Sequence, residues 1–122
     1  MSAEERRKLG RVARTAPERQ ADQTVKLERD LHKLIQNELT RRGIYYVHSR
    51  TDQKTTQAIG VPDFIFAIAG KAIAIEVKLP GNTLSDGQRA AKAEMEQNGW
   101  NYFVCTDFDS VVIALQTMST LS

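Results

Sequence analysis

The stretch 63–79 leaves this chain the least choice of fold. Two alternating apolar runs, Asp63-Phe64-Ile65-Phe66-Ala67-Ile68 and Ala72-Ile73-Ala74-Ile75-Glu76-Val77-Lys78-Leu79, are joined by Ala69-Gly70-Lys71 and closed by Pro80-Gly81-Asn82. Short runs rich in Ile, Val and Phe between turn residues read as a β-hairpin. Side chains alternate along a strand. Ile73, Ile75, Val77 and Leu79 therefore share one face, and Ala72, Ala74, Glu76 and Lys78 the other. On the first strand Phe64, Phe66 and Ile68 oppose Asp63, Ile65 and Ala67. One side of the hairpin is bulky and apolar; the other is lined by small residues and carries three charges at its open end. A two-residue turn at Ala69-Gly70 sets Asp63 opposite Glu76, and one at Gly70-Lys71 sets it opposite Lys78. Either register gathers Asp63, Glu76 and Lys78 on one face within roughly 5–8 Å.

The remaining elements follow from periodicity and caps. Leu27, Leu31, Leu34, Ile35 and Leu39 recur at helical spacing, with Thr24 or Asp22 to cap the start and Gly43 just past the end. Ile44-Tyr45-Tyr46-Val47-His48 is a short strand. Residues 49–60 are polar and aperiodic, a loop long enough to carry function. Ser85-Asp86-Gly87-Gln88 opens a second helix that runs to about Gln97 and stops at Asn98-Gly99. Tyr102-Phe103-Val104-Cys105 is a fourth strand. A last helix runs from Phe108 to about Met118, capped by Asp107 or Asp109, with Val111, Val112 and Leu115 inward. The order α-β-β-β-α-β-α makes an α/β fold: a hairpin followed by a β-α-β crossover, hence a mixed four-stranded sheet with helices on both sides.

The length of 122 residues suits one domain. Residues 24–122 form it, preceded by a basic arm over 1–23, mobile or partly helical. That arm holds six basic residues (Arg6, Arg7, Lys8, Arg11, Arg14, Arg19) and four acidic ones, while the rest balances 11 against 11, so the net charge of +2 belongs to the arm. Such a balance is compatible with a phosphate-rich ligand. No apolar run approaches the ~18 residues of a membrane span. The charged N-terminus does not read as a signal peptide. Cys105 is the one cysteine, which makes no internal disulfide. A cytoplasmic setting, no membrane and no small-molecule cofactor are expected.

The chemistry lies in the charged end of the hairpin. Two carboxylates so close repel, and one holds a proton near neutral pH unless a cation sits between them. Hard oxygen ligands select Mg²⁺ or Mn²⁺. A lysine on the same face can hold an attacking water and balance charge in a phosphoryl transition state. A Glu-x-Lys pair alone is a weak signal, common on wet sheet faces. Its register with an Asp that follows a Gly60-Val61-Pro62 turn strengthens it.

Pro62-Asp63, a spacer of 12 residues, then Glu76-Val77-Lys78 resembles the PD-(D/E)xK nuclease superfamily. Gly60-Val61-Pro62-Asp63, Ile75-Glu76-Val77-Lys78-Leu79-Pro80-Gly81 and Leu84-Ser85-Asp86-Gly87-Gln88-Arg89 together resemble the VRR-NUC (virus-type replication-repair nuclease) family, over about residues 24–116. The resemblance implies a restriction-endonuclease-like αβββαβα core and metal-dependent hydrolysis of DNA phosphodiesters. It implies a metal shell of Glu28, Asp63, Glu76 and the Val77 carbonyl, with Asp63, Glu76, Lys78 and Gln88 catalytic. Glu28 also reads as a helix-N-terminal acid favoured by the dipole, with Glu38 a weaker competitor for its role. Ser85-x-x-Gln88 also reads as a capping box. His48, Arg50, Lys54, Arg89 and Lys92 are candidate phosphate contacts. His32 is expected to face solvent or core without a metal role, Cys105 to fill core, and Trp100 to pack beside the helix stop.

No element is built to read base edges in a fixed register, so structure-selective cutting of four-way junctions, flaps or forks is expected. A four-way junction needs two cuts and this body carries one site, so a homodimer is expected, formed through the arm or an exposed strand face. The setting implied is the cytoplasm of a bacterial or phage-infected host cell. Rival readings are a restriction-like or nicking nuclease with the same site, a non-catalytic nucleic-acid-binding module on a nuclease fold, and a plain interaction protein.

Overall fold

The computed structural model describes residues 16–49 and 60–121, with side chains from residue 26 onward. Four strands, β1 (Tyr46–His48), β2 (Phe64–Ile68), β3 (Lys71–Val77) and β4 (Asn101–Cys105), form one sheet in the order β1-β2-β3-β4. The first three pair antiparallel, and β4 runs parallel to β3. Among the described residues three helices accompany them: α1 (Ala16–Arg41), α2 (Asp86–Gln97) between β3 and β4, and α3 (Phe108–Thr120) after β4. This is the mixed α/β sheet expected from the sequence.

The hairpin closes at Ala69-Gly70. Ile68 pairs with Lys71 and Phe64 with Ile75. Ala69 (φ 50) and Gly70 (φ 77) both adopt left-handed backbone, the signature of the type I′ turn whose twist matches that of paired strands. Of the two registers open in the sequence, this one sets Asp63 across from Glu76.

Register sorts the two faces. Phe64, Phe66, Ile73, Ile75, Val77 and Cys105 pack with Leu31, Ile35 and Leu39 of α1 and with Val111, Leu115 and Met118 of α3 in one core. Cys105 is buried within it, as expected. The opposite face carries Ile65, Ala67, Ala72, Ala74 and Glu76, by alternation from their partners. There α2 packs against β4. Among the described residues no helix is long and apolar enough to cross a membrane.

Two details depart from expectation. First, α1 begins at Ala16 and runs through both Asp22 and Thr24, so neither is its cap. Pro17 stands in the first turn, where its missing N–H costs nothing, and Glu18, Arg19, Gln20 and Ala21 are good helix formers. A missing apolar stripe denies a segment burial without denying it helix. Residues 1–15 of the basic arm lie outside the described residues. Second, Leu27 and Leu34 are exposed, because α1 docks through the narrower stripe Leu31, Ile35 and Leu39.

The helix stops act as their sequences suggest. The Gly43 amide donates to the Thr40 carbonyl and the Ile44 amide to Leu39, a Schellman closure. Gly99 and Trp100 repeat it on Glu96 and Met95. At the other end of α2, Ser85 and Gln88 form a reciprocal capping box. On α3 the cap is Asp107, with Ser110 as its partner.

Candidate active site

The open end of the hairpin is a buried, reciprocally bonded acid pair. Asp63 and Glu76 are 6% and 3% exposed. The Val77 amide donates to Asp63 Oδ2 at 2.8 Å, and the Asp63 amide donates to Glu76 Oε2 at 3.2 Å. Each carboxylate is thus held by the backbone of the other's strand. Ser49, also buried, steadies the run into Asp63: its amide donates to the Asp63 carbonyl (2.9 Å) and its hydroxyl to the Pro62 carbonyl (3.0 Å). A strand residue's N–H and C=O face the same neighbour, so the Val77 carbonyl lies toward Asp63.

Both helix layers reach round this end of the sheet. From α2, Gln88 Nε2 donates to Glu76 Oε1 at 2.9 Å while Gln88 Oε1 accepts the Ser85 amide at 2.9 Å. One side chain therefore closes the capping box and holds Glu76. From α1, Glu28 and His32 stand one turn apart on one face. Glu28, His32 and Asp63 each bring a ligand atom within 4.8 Å of the others. His32 Nε2 lies 3.6 Å from Asp63 Oδ2. It is buried and has no hydrogen-bond partner among the described residues.

Electrostatics mark Glu76 as the strained member. Burial first, then the charge of Asp63, pushes its pKa up to about 8, with Glu28 adding to the rise. Lys78 and the Asp63 amide pull the other way. By alternation Lys78 shares its side of the strand. Nearby, Tyr102 is 9% exposed with a buried hydroxyl that lacks a partner among the described residues. Burial, then Glu76 and Asp63, raises its pKa.

These features fit a divalent cation. A buried orphan imidazole nitrogen beside two carboxylates, and a second buried acid that resists ionising, are the donor set and charge deficit that such an ion satisfies.

The other residues singled out in the sequence have different surroundings. Glu38 pairs with Arg41 and Arg42, which lower its pKa, Arg41 most. His48 is half-buried beside α1. Its ring stacks on Phe64 (4.5 Å, 12°), with Gln36 and His32 at its two nitrogens. Arg89 donates to the Leu84 carbonyl (2.7 Å) and pairs with Asp86. Lys92 pairs with Glu96 at 2.9 Å and sits 5.7 Å over the Tyr102 ring. Arg50 and Lys54 lie outside the described residues. Trp100 lines an apolar groove with Ala91 and Met95 of α2, as its place after the helix stop suggests. His32 borders the core as expected, 5.4 Å from the Phe64 ring, and its Nε2, without a hydrogen-bond partner among the described residues, faces the Asp63 carboxylate. The available signal was the ladder Glu28, His32, Gln36, one polar residue per turn beside the Leu31-Ile35-Leu39 stripe.

Comparison with known proteins agrees with this geometry. The VRR-NUC domain model matches residues 5–108. A solved structure titled "VRR_NUC domain protein" superposes with a TM-score of 0.66 at 21% identity, covering 78% of this chain and 89% of that one. Among curated proteins none matches. With its family model spanning most of the sequence and its sheet carrying the nuclease fold, the chain belongs to the VRR-NUC family.

Proposed function

We propose that this nuclease-type chain is a divalent-metal-dependent endodeoxyribonuclease that prefers branched DNA: four-way junctions, flaps or forks. The observation that carries the reading is the convergence of Asp63, Glu76, Glu28 and His32, from three elements, on one end of the sheet beside Lys78. Glu28, Asp63, Glu76 and the Val77 carbonyl would hold Mg²⁺ or Mn²⁺. When bound, such an ion supplies Lewis-acid stabilisation of charge developing on the phosphoryl oxygens.

The chain's own residues do the rest. Asp63 and Glu76 are preset by backbone amides, so little ordering is left for the moment of binding. Lys78 donates hydrogen bonds to the attacking water and to a phosphoryl oxygen, holding the two in line. Gln88 fixes one Glu76 oxygen and leaves the other toward Asp63.

The preference for branched DNA rests on the single site in a small body. A homodimer would supply the second cut. Support for it comes from the open sheet face, where Tyr45, Val47, Ile65, Ala67 and Ala72 line an apolar groove of about 580 Å³. The net positive charge of the sequence and the nuclease fold support a DNA substrate.

The decisive test is cleavage of labelled duplex, single strand, flap, splayed arm and four-way junction with Mg²⁺, Mn²⁺ or chelator. Lys78→Ala and Asp63→Asn are run beside the parent. Asn is chosen because it keeps an acceptor for the Val77 amide, whose loss would cost about 1–3 kcal/mol of stability. Metal-dependent cutting is expected on branched substrates, falling at least ~100-fold in both variants. Cutting that survives both substitutions would discard this site. Binding of branched DNA without cutting would leave a non-catalytic DNA-binding module.

A further inference from the structure

His32, His48 and Gln36 form a chain that the reaction outlined above does not use. His32 Nδ1 and His48 Nε2 are 2.8 Å apart, and Gln36 Nε2 donates to His48 Nδ1 at 2.6 Å. His48 is fixed by stacking on Phe64, which is fully buried. At the far end of the chain, His32 Nε2 is buried 3.6 Å from Asp63 Oδ2 and within the cluster with Glu28.

In such a chain the tautomers are coupled. With the Gln36 amide donating, neutral His48 carries its proton on Nε2 and gives it to His32 Nδ1. Neutral His32 then carries its own proton on Nε2, facing the Asp63 carboxylate, where it blocks a cation. A half-turn of the Gln36 amide reverses every polarity without moving a ring. The Gln36 carbonyl accepts from His48 Nδ1–H, His48 Nε2 accepts from His32 Nδ1–H, and the His32 Nε2 lone pair faces the cluster. Each ring keeps one proton. The proton between the rings passes from His48 Nε2 to His32 Nδ1, one leaves His32 Nε2 for solvent, and one enters at His48 Nδ1. Net charge is unchanged. The glutamine amide can do this because a half-turn exchanges its NH₂ donor for its carbonyl acceptor with no change of shape or charge.

We propose that Gln36 and His48 are positioning residues that switch His32 Nε2 from a protonated nitrogen facing Asp63 into a nitrogen ligand, completing a Glu28–His32–Asp63 cation site. This rests on the metal-dependent reading of the site. His32 Nε2 and Asp63 Oδ2 lie 3.6 Å apart, close enough that both would hold one cation. An imidazole in the shell also favours Mn²⁺ over Mg²⁺, which all-oxygen shells suit better.

The switch is read without DNA, and cleavage is measured beside it. The full chain, labelled with ¹⁵N at histidine, is titrated with Zn²⁺ as a diamagnetic probe, and Mn²⁺ affinity is read by calorimetry. In the metal-free protein both rings are expected as Nε2–H tautomers. At saturation both become Nδ1–H, with His32 Nε2 at a metal-bound frequency. Gln36→Leu removes the acceptor and is expected to weaken Mn²⁺ binding about 10-fold, within the usual range for an outer-shell partner. Gln36→Glu, an acceptor only, restores binding and shows the Nδ1–H tautomers before metal is added. His32 remaining Nε2–H in the saturated protein would overturn the proposal, as would Gln36→Glu binding no better than Gln36→Leu. If Mn²⁺-dependent cutting persists in either case, the nuclease reading stands without the switch. A protein that binds no metal at all loses both.

Discussion

At the scale of single residues, Glu76 governs how the site responds to pH. Its pKa is raised from 4.5 to about 8, so the folded, metal-free protein holds this proton more tightly than the unfolded chain. The stability from this group is complete below 4.5 and is lost as pH rises through about 8. In chelator, Tm is therefore expected to fall between about pH 5.5 and pH 8.5. Glu76→Gln should flatten that fall, and Mn²⁺ should reverse it in the parent. An equal fall in Glu76→Gln would show that another group titrates. Asp63, Glu76 and Lys78 were legible as neighbours because strand alternation and one turn fix their side and spacing. His32 was not. A histidine on a helix shows its facing only once the helix docks, and α1 docks through three residues of a stripe that offered five.

At the scale of elements, the hairpin turn is where sequence left two answers. Gly70-Lys71 could have been the central pair of a type II′ turn, and Ala69-Gly70 of a type I′ turn, each with a glycine in an allowed place. The chain takes the second although Ala69 must then sit at φ 50, which costs an L-residue roughly 1 kcal/mol. Pairing of Ile68 with Lys71 through to Phe64 with Ile75 outweighs that cost. Ala69→Asn, suited to left-handed backbone, is expected to stabilise the protein by about 0.5–1 kcal/mol, a rise of roughly 3 °C in Tm. Metal affinity should not change, since the turn lies at the end of the hairpin away from Asp63. A fall in Tm would mean that this is not a type I′ turn. Helix α1 shows the opposite limit of sequence reading: its C-terminal stop was plain in Gly43, while its start lay hidden in polar residues without an apolar stripe.

At the scale of the whole molecule, the Gly60–Asp63 motif meets the Leu84–Arg89 motif backbone to backbone. Gly60 has φ +83, and a Cβ there would stand 2.2 Å from the Gly87 carbonyl oxygen and 2.9 Å from the Gln88 amide nitrogen. The turn before Asp63 therefore presses on the first turn of α2, the one that carries Gln88 to Glu76. Gly60→Ala is expected to cost at least about 2 kcal/mol, from strained φ and displaced backbone together. It should also weaken Mn²⁺ binding, as Gln88 withdraws from Glu76. Gly70→Ala is the comparison, because a Cβ there meets nothing within 4 Å. It should lose only the conformational part and keep its metal affinity. Equal losses in the two variants would refute the contact. The sequence held both glycines in view, but their meeting is a property of the assembled layers.

The reciprocal amide-to-carboxylate bonds at residues 63 and 77 have an evolutionary consequence. Their donors belong to the main chain, which every residue except proline supplies. Drift at position 77 can exchange one apolar side chain for another without touching the bond that aims Asp63. The acids are thus insulated from most substitutions in the strand that holds them, and lineages can diverge widely in sequence while this corner keeps its shape.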